Sequence, residues 1–335
     1  MNAKKLFFYF PGLRRFYGIN SYLIQDFRSL LGIITGRKYK LKNPNFTIIS
    51  STFCNANCVF CANRHLKDKR GIMSFPLFKK IIDDLIKNFS IDDIGLTPTI
   101  GEILLDPLFF QKLKYLSDNN IKINLITNGV LLDQNIEKFL EIKIKSLLID
   151  VGDINPKFDS RVFGITESIS KKRLESIIKL IEKNQDKKTI EKIIVGFRPQ
   201  RKPCQIIKEM KKTILWEYYK KNLFDMDFHM AYDNWGGTIK EENLLGFQKL
   251  KKAPNVKKYP CQNLSSFSFL PNGDIRLCAC RIKNTFLDEL YLGNIKNNPI
   301  KKLMQSEKRL KVIKGFQQGK IPEVCKKCTF YRPSI

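Results

Sequence analysis

Acidic residues are scarce in this chain: 32 Asp and Glu stand against 60 Lys and Arg, leaving a formal charge of +28 on 335 residues. Long apolar runs are missing too. LFFYF at 6–10 and SLLGIITG at 29–36 fall far short of the roughly 20 residues that a spanning helix needs, which excludes a transmembrane helix. Lys4 and Lys5 precede an apolar stretch, but Pro11 and then Arg14-Arg15 break it, and no small-residue cleavage site follows. A cytoplasmic protein is expected. There is no internal repeat and no low-complexity stretch. What is present, 43% hydrophobic and 27% charged residues, is a globular rather than a disordered composition. The length allows one large α/β domain, or one domain with a smaller attachment.

The positive excess fits nucleic acid, an anionic membrane surface or an acidic substrate, and composition alone does not choose. The Lys, Asn and Ile content also fits the drift of an AT-rich genome. The exception is residues 1–45, where nine basic residues face one acidic residue amid Phe, Tyr and Leu. This basic N-terminal arm reads as a peripheral membrane or partner-binding segment, or as a helical pair packed on the main domain.

From residue 46 onward, short β-rich runs alternate with amphipathic helical stretches, the pattern of βα units around a parallel sheet. Strands are predicted at 46–50, 94–97, 123–127, 146–151, 191–197 and 224–230. Helices are predicted at 74–88, 107–119, around 174–181 and at 205–222. In the first of these helices Ser74 can cap, Pro76 sits in the first turn, and Leu77, Phe78, Ile81, Ile82 and Leu85 share a face. Six units are too few for a closed eight-stranded barrel and enough for an open one, whose ligand site lies at the carboxyl ends of the strands. Beyond Trp235-Gly236-Gly237 the pattern changes to SFSFL, a Pro-Asn-Gly-Asp turn and IRLCAC, which read as a β-hairpin. A helix near 299–314 and a CKKC pair at 325–328 close the chain. The expected division is an arm at 1–45, a partial (β/α)6 barrel at 46–235 and a small cysteine-bearing module at 236–335.

Nine cysteines are an odd number, and in a reducing compartment their clustering points to metal or redox chemistry rather than disulfides. Cys54, Cys58 and Cys61 stand in CNANCVFC, directly after the first predicted strand. Three thiolates can hold one face of an iron-sulfur cubane, which takes four cysteines when fully ligated, so one iron would stay open. A C-x3-C-x2-C-x3-H string ending at His65 offers a zinc site instead. The C-x3-C-x2-C string with an aromatic residue, Phe60, just before its third cysteine resembles the signature of the radical SAM superfamily. That resemblance implies a 4Fe-4S cluster whose open iron is chelated by S-adenosylmethionine. It implies reductive cleavage to a 5'-deoxyadenosyl radical that abstracts hydrogen from substrate, fed by a flavodoxin- or ferredoxin-like electron donor.

Further segments resemble the family in order. Gly101-Glu102, in GLTPTIGEILLDP, resembles its GGE-type motif with Ile100 in place of the first Gly, and implies a hold on the methionine amino group. Thr127-Asn128-Gly129 matches a recurrent segment, although Asn-Gly is also an ordinary turn. IDVGD at 149–153 stands where relatives carry a segment near the ribose, which makes Asp150 a hydroxyl acceptor. Arg161, in FDSRVFG, implies a reach to the S-adenosylmethionine carboxylate, or else a surface ion pair.

Cys261, Cys278, Cys280, Cys325 and Cys328 resemble the auxiliary-cluster extension called SPASM, or its shorter twitch form, with LGNI at 292–295 in support. One auxiliary 4Fe-4S cluster is the expected count, on Cys261, Cys278, Cys325 and Cys328. Hairpin alternation sends 278 and 280 to one face, so either serves; a four-Cys zinc site is the alternative. Cys204 stands alone and reads as packing or surface.

Such an architecture implies a two-electron oxidation of a small molecule such as a sugar derivative, or radical maturation of a peptide or protein side chain. Peptide maturases of the family commonly carry an N-terminal domain longer than 45 residues, which tilts the expectation to small, anionic substrates. A cluster kept for structure and a non-catalytic metal-binding RNA module are the other readings. Asp227, His229, Tyr232 and Asp233, in FDMDFHMAYDNWGG, are the candidates for the base that removes a hydroxyl proton; a structural His229 is the plainer alternative.

Overall fold

The computed structural model describes residues 11–96, 99–278, 282 and 284–335. Its centre is a run of parallel strands laid down in chain order: β1 (Asn45–Ile48), β2 (Asp93–Leu96), β3 (Lys122–Thr127), β4 (Ser146–Val151), β5 (Ile193–Phe197) and β6 (Asp225–Phe228). Each neighbour pair is parallel, with Thr47 beside Gly95, Asn124 beside Ser146 and Leu147 beside Ile193. Helices cross between them, as parallel pairing demands. This is the open α/β barrel expected from the alternation.

Ahead of the barrel, the described part of the arm runs as α1 (Pro11–Ile34), a helix lying against the body of the protein. The crossover from β1 to β2 carries α2 (Phe75–Asn88), whose Phe78, Ile81, Ile82 and Leu85 are buried as their spacing predicts. Next come α3 (Phe109–Asp118), α4 (Pro156–Phe163) and α5 (Glu167–Lys187). Thr166 caps α5 by accepting the Ile169 amide. The single helix expected at 205–222 is two, α6 (Pro203–Met210) and α7 (Ile214–Lys220). Thr213 explains the break: its amide and its hydroxyl both donate to the Met210 carbonyl, and its extended backbone starts the next helix.

The expected hairpin is β7 (Ser266–Phe269) and β8 (Asp274–Leu277), and β9 (Tyr291–Asn294), which overlaps LGNI, adds a third antiparallel strand. β7 also pairs in parallel with β1, from Asn45 beside Ser266 to Ile48 beside Phe269. One nine-stranded sheet results, in the order β6-β5-β4-β3-β2-β1-β7-β8-β9. Phe46 sits on this seam, with ring centroids 5.3 Å from Phe89, 6.0 Å from Phe267 and 6.2 Å from Phe269. The helix expected at 299–314 divides into α8 (Ile300–Met304) and α9 (Glu307–Gln317), because Ser306 caps the second by accepting the Arg309 amide. The short α10 (Glu323–Lys326) precedes the C-terminus.

The hairpin alternation does not reach Cys278. β8 ends at Leu277, and Cys278 turns to φ +60°, a conformation that side chains other than Gly rarely adopt. Two bonds hold it there: its amide donates to the Ser266 carbonyl, and the buried Arg276 guanidinium donates to its carbonyl at 2.9 Å. Cys280 lies outside the described residues.

Candidate active site

The carboxyl ends of the parallel strands surround a cavity of about 540 Å³. The loop after β1 brings Cys54, Cys58 and Cys61 to its wall, and backbone bonds fix that loop from two sides. On one side the Glu102 amide donates to the Phe53 carbonyl at 2.7 Å. Gly101 makes this approach possible: at φ +101°, a Cβ there would stand 2.2 Å from the Ser51 carbonyl oxygen, so no side chain fits. On the other side the Asn57 and Val59 amides donate to the Phe163 and Val162 carbonyls.

Glu102 fastens the ends of β2 and β3 together. Its carboxylate, 1% exposed, accepts the Thr127 hydroxyl at 2.6 Å, the Asn128 amide at 2.8 Å and the Leu104 amide at 3.1 Å. A carboxylate offers about four acceptor sites, so one remains for a ligand. Burial pushes the Glu102 carboxyl up, and those three bonds partly restrain the rise. Asn128 donates to Asn55 at 2.9 Å and lies 3.8 Å from the Cys54 sulfur. Its carbonyl accepts the buried Arg173 guanidinium, which also pairs with buried Asp159. The far end of the Gly101-Glu102 segment is pinned by a second buried pair, Lys112 with Asp106 at 2.5 Å.

The thiols of the loop are far from ionised when no metal holds them. Burial is the first cause for all three: it raises Cys54, raises Cys58 well above the ordinary 9.0 and pushes Cys61 up to about 12. Thiolates here need a cation to face, as iron would provide. His65 lies in the turn after Cys61 but is not among the cavity residues.

Phe60 packs edge-on to Phe163 at 5.8 Å and tilted to Tyr232 at 5.5 Å, and its carbonyl accepts the Trp235 indole N–H at 2.8 Å. Arg198 covers the Phe60 ring at 4.6 Å and pairs with Asp150 at 2.8 Å. Asp150 keeps its other oxygen, Oδ1, buried without a hydrogen-bond partner, on the cavity wall where a ligand hydroxyl would satisfy it. Arg198 was missed in the sequence, although its place just after β5 is where a strand end delivers a functional side chain. Arg161 is exposed on α4 and is not among the cavity-lining residues; the FDSRVFG segment meets the cysteine loop through the Val162 and Phe163 carbonyls and through Gly164, where a Cβ would stand 2.6 Å from the Asn57 carbonyl oxygen.

Of the four base candidates, His229, Tyr232 and Asp233 line the cavity and Asp227 does not. Asp227 stands behind, 3.6 Å from His229 Nε2. Tyr232 is buried, and burial drives its phenol above the usual range, which favours its protonated form.

Cys261, Cys278, Cys325 and Cys328 line a second, smaller pocket with Leu264 and Tyr331. The Arg332 amide points at the Cys261 sulfur (3.5 Å) and the Phe330 amide at the Cys328 sulfur (3.3 Å). Lys257, another residue missed in the sequence, reaches in to donate to the carbonyls of Cys325, Lys326 and Cys328 at 2.9, 2.7 and 3.1 Å. Amide donors to sulfur and a buried cation suit a thiolate-held cluster. Burial and then Cys278 push Cys261 up to about 12 in the metal-free state. Exposed Cys204 belongs to neither group.

Fold and sites define an enzyme whose open barrel presents a three-thiol loop to a ligand cavity, with a four-thiol pocket beside it. Residues 48–202 match the Radical SAM superfamily, and residues 261–329 match SPASM, an iron-sulfur cluster-binding domain. The chain is thus a radical SAM enzyme with a SPASM domain, and S-adenosylmethionine and 4Fe-4S clusters, an auxiliary one included, are its cofactors. It is 26% identical over 327 aligned residues to a cysteine-type anaerobic sulfatase-maturating enzyme of Clostridium perfringens, covering 84% of this chain and 85% of that protein. Among solved structures it resembles Streptococcus suis SuiB bound to precursor peptide SuiA, with a TM-score of 0.58 and 14% identity over 90% of this chain and 74% of that one. It also resembles BtrN in complex with AdoMet and 2-DOIA, with a TM-score of 0.51 and 17% identity over 87% and 94%.

Proposed function

We propose that this enzyme is a cytoplasmic oxidoreductase that takes two electrons from a carbinol in a small molecule such as a sugar derivative. Residues 1–45 form its arm, 46–235 its barrel and 236–335 its cluster module. Cys54, Cys58 and Cys61 would hold the first cluster, with Gly101, Glu102, Thr127, Asn128, Asp150 and Phe60 around the S-adenosylmethionine. Cys261, Cys278, Cys325 and Cys328 would hold the second. When bound, these groups supply a 5'-deoxyadenosyl radical for hydrogen abstraction and a nearby electron acceptor.

One residue carries the oxidation reading. Phe330 lines the cavity together with the Cys54 loop, and its own amide donates to the Cys328 sulfur of the second pocket. A substrate in the cavity therefore lies one residue away from the second set of thiols. Hydrogen atom, proton and electron together make the two electrons and two protons lost when a carbinol becomes a carbonyl. His229 takes the hydroxyl proton, with Asp227 behind it to favour the imidazolium that forms; Asp233 is the second acceptor on the wall. The basic surface suits an acidic flavodoxin- or ferredoxin-like donor and an anionic substrate.

The test is iron, acid-labile sulfide and zinc per chain on anaerobically purified protein. About eight irons with matching sulfide are expected. About four irons with one zinc would leave the radical enzyme and remove the oxidation. A second reading, modification of a protein side chain, is favoured by the sulfatase-maturating relative, which aligns with most of this chain. Release of 5'-deoxyadenosine stimulated by cysteine-bearing peptides, and not by sugar alcohols, would decide for it.

A further inference from the structure

Helix α1 is mounted inside out. A helix on a protein surface normally buries its apolar stripe, yet here the side facing the body is small and polar. Gly32 lies so close to Tyr259 that a Cβ would stand 2.9 Å from its hydroxyl, and Gly18 approaches Ala231 in the same way. Ser29 is fully buried, Asp26 accepts the Val256 amide at 2.8 Å, and the Arg15 guanidinium covers the Phe247 ring at 4.0 Å. The side facing solvent carries Phe16 (65% exposed), Leu23, Phe27 (65%), Leu30 and Ile34 (81%). These recur at steps of three, four and seven, which places them along one ridge of the helix.

The charges of the helix and of the segment after it have one sign, apart from Asp26. Asp26 is the only acid in the first 67 residues and is turned inward. The segment that follows the helix exposes Arg37, Lys38, Lys40 and Lys42. An apolar ridge beside basic residues complements an anionic lipid leaflet, whose headgroups meet the cations while the acyl boundary takes the Phe and Leu side chains. A protein groove would have to match the ridge in shape; a lipid surface needs only its two chemistries.

We propose that α1 seats this enzyme on an anionic membrane surface through Phe16, Leu23, Phe27, Leu30 and Ile34, with Arg37, Lys38, Lys40 and Lys42 as the electrostatic part of the contact. The test is flotation of the full chain with vesicles of phosphatidylcholine alone or mixed with phosphatidylglycerol. The wild type should float with the mixed vesicles and much less with phosphatidylcholine. Phe16→Ser/Leu23→Ser/Phe27→Ser/Leu30→Ser should weaken that partition at least tenfold while leaving 5'-deoxyadenosine formation unchanged, because none of these side chains reaches either cysteine site. Failure to float with mixed vesicles would overturn the proposal. So would equal flotation of the quadruple variant, which would reduce the binding to net charge. Conversion of a wild-type dimer to a monomer by the same substitutions, without vesicle binding, would assign the ridge to a second copy of the chain instead.

Discussion

At the scale of single residues, the three-thiol loop and the base make opposite demands on the proton. Cys54→Ala should abolish S-adenosylmethionine cleavage, read as 5'-deoxyadenosine by chromatography; retained cleavage would refute the cluster assignment. His229→Gln should slow product formation by about 10² or more, whereas Tyr232→Phe, which removes a proton the buried phenol does not release, should leave the rate within about threefold. The cysteines also set a pH dependence for the metal-free protein. Cys61 and Cys261 are held near 12 against an ordinary 9.0, so the fold binds their protons more tightly than the unfolded chain does. That stability is whole below about pH 9 and is lost as pH rises toward 12. Urea midpoints of apo-protein should therefore fall between pH 8 and pH 10, and an unchanged midpoint would contradict the burial argument. At this scale the sequence was legible in what the fold brings together: Cys54, Cys58, Cys61, Gly101 and Glu102, named from their spacing and resemblance, all line the cavity. The contact of the Arg161 segment with the cysteine loop runs through backbone carbonyls, which no side-chain pattern reports. Arg198 and Lys257 were not found because a lone basic residue among 60 carries no signal until the fold sets it against Asp150 or the carbonyls of a CKKC turn.

Elements were legible where the periodicity was clean. The strands and α2 lie within a few residues of their expected places, since alternating apolar runs and a four-residue buried face leave little choice. The breaks at Thr213 and Ser306 were not read, because each depends on one side chain competing for a backbone carbonyl or amide in the middle of an otherwise helical run. Cys278 departs from strand alternation for a tertiary reason, the buried Arg276 that pins its left-handed backbone. The segment between β2 and α3 has its own stake in packing. Lys112→Ala would leave Asp106 buried and unpaired and should cost about 3–5 kcal/mol, visible as a lowered thermal midpoint. Gly101→Ala, with no room beside Ser51, should cost about 2 kcal/mol or more and reduce iron at the first site.

For the whole molecule, replacing Cys261 by Ala should leave about four irons from an expected eight and spare 5'-deoxyadenosine formation while product is lost; unchanged iron would remove Cys261 from the ligand set. What no residue pattern announced is that the barrel and the cysteine module share a sheet. β1 leads directly into the Cys54 loop, and its neighbour β7 follows Cys261 and turns back through β8 to Cys278. The two cysteine sets thus hang from adjacent, hydrogen-bonded strands. Any coupling carried across that pair is reciprocal by thermodynamic linkage: whatever factor the first cysteine pocket gains from occupancy of the second, the second gains from the first.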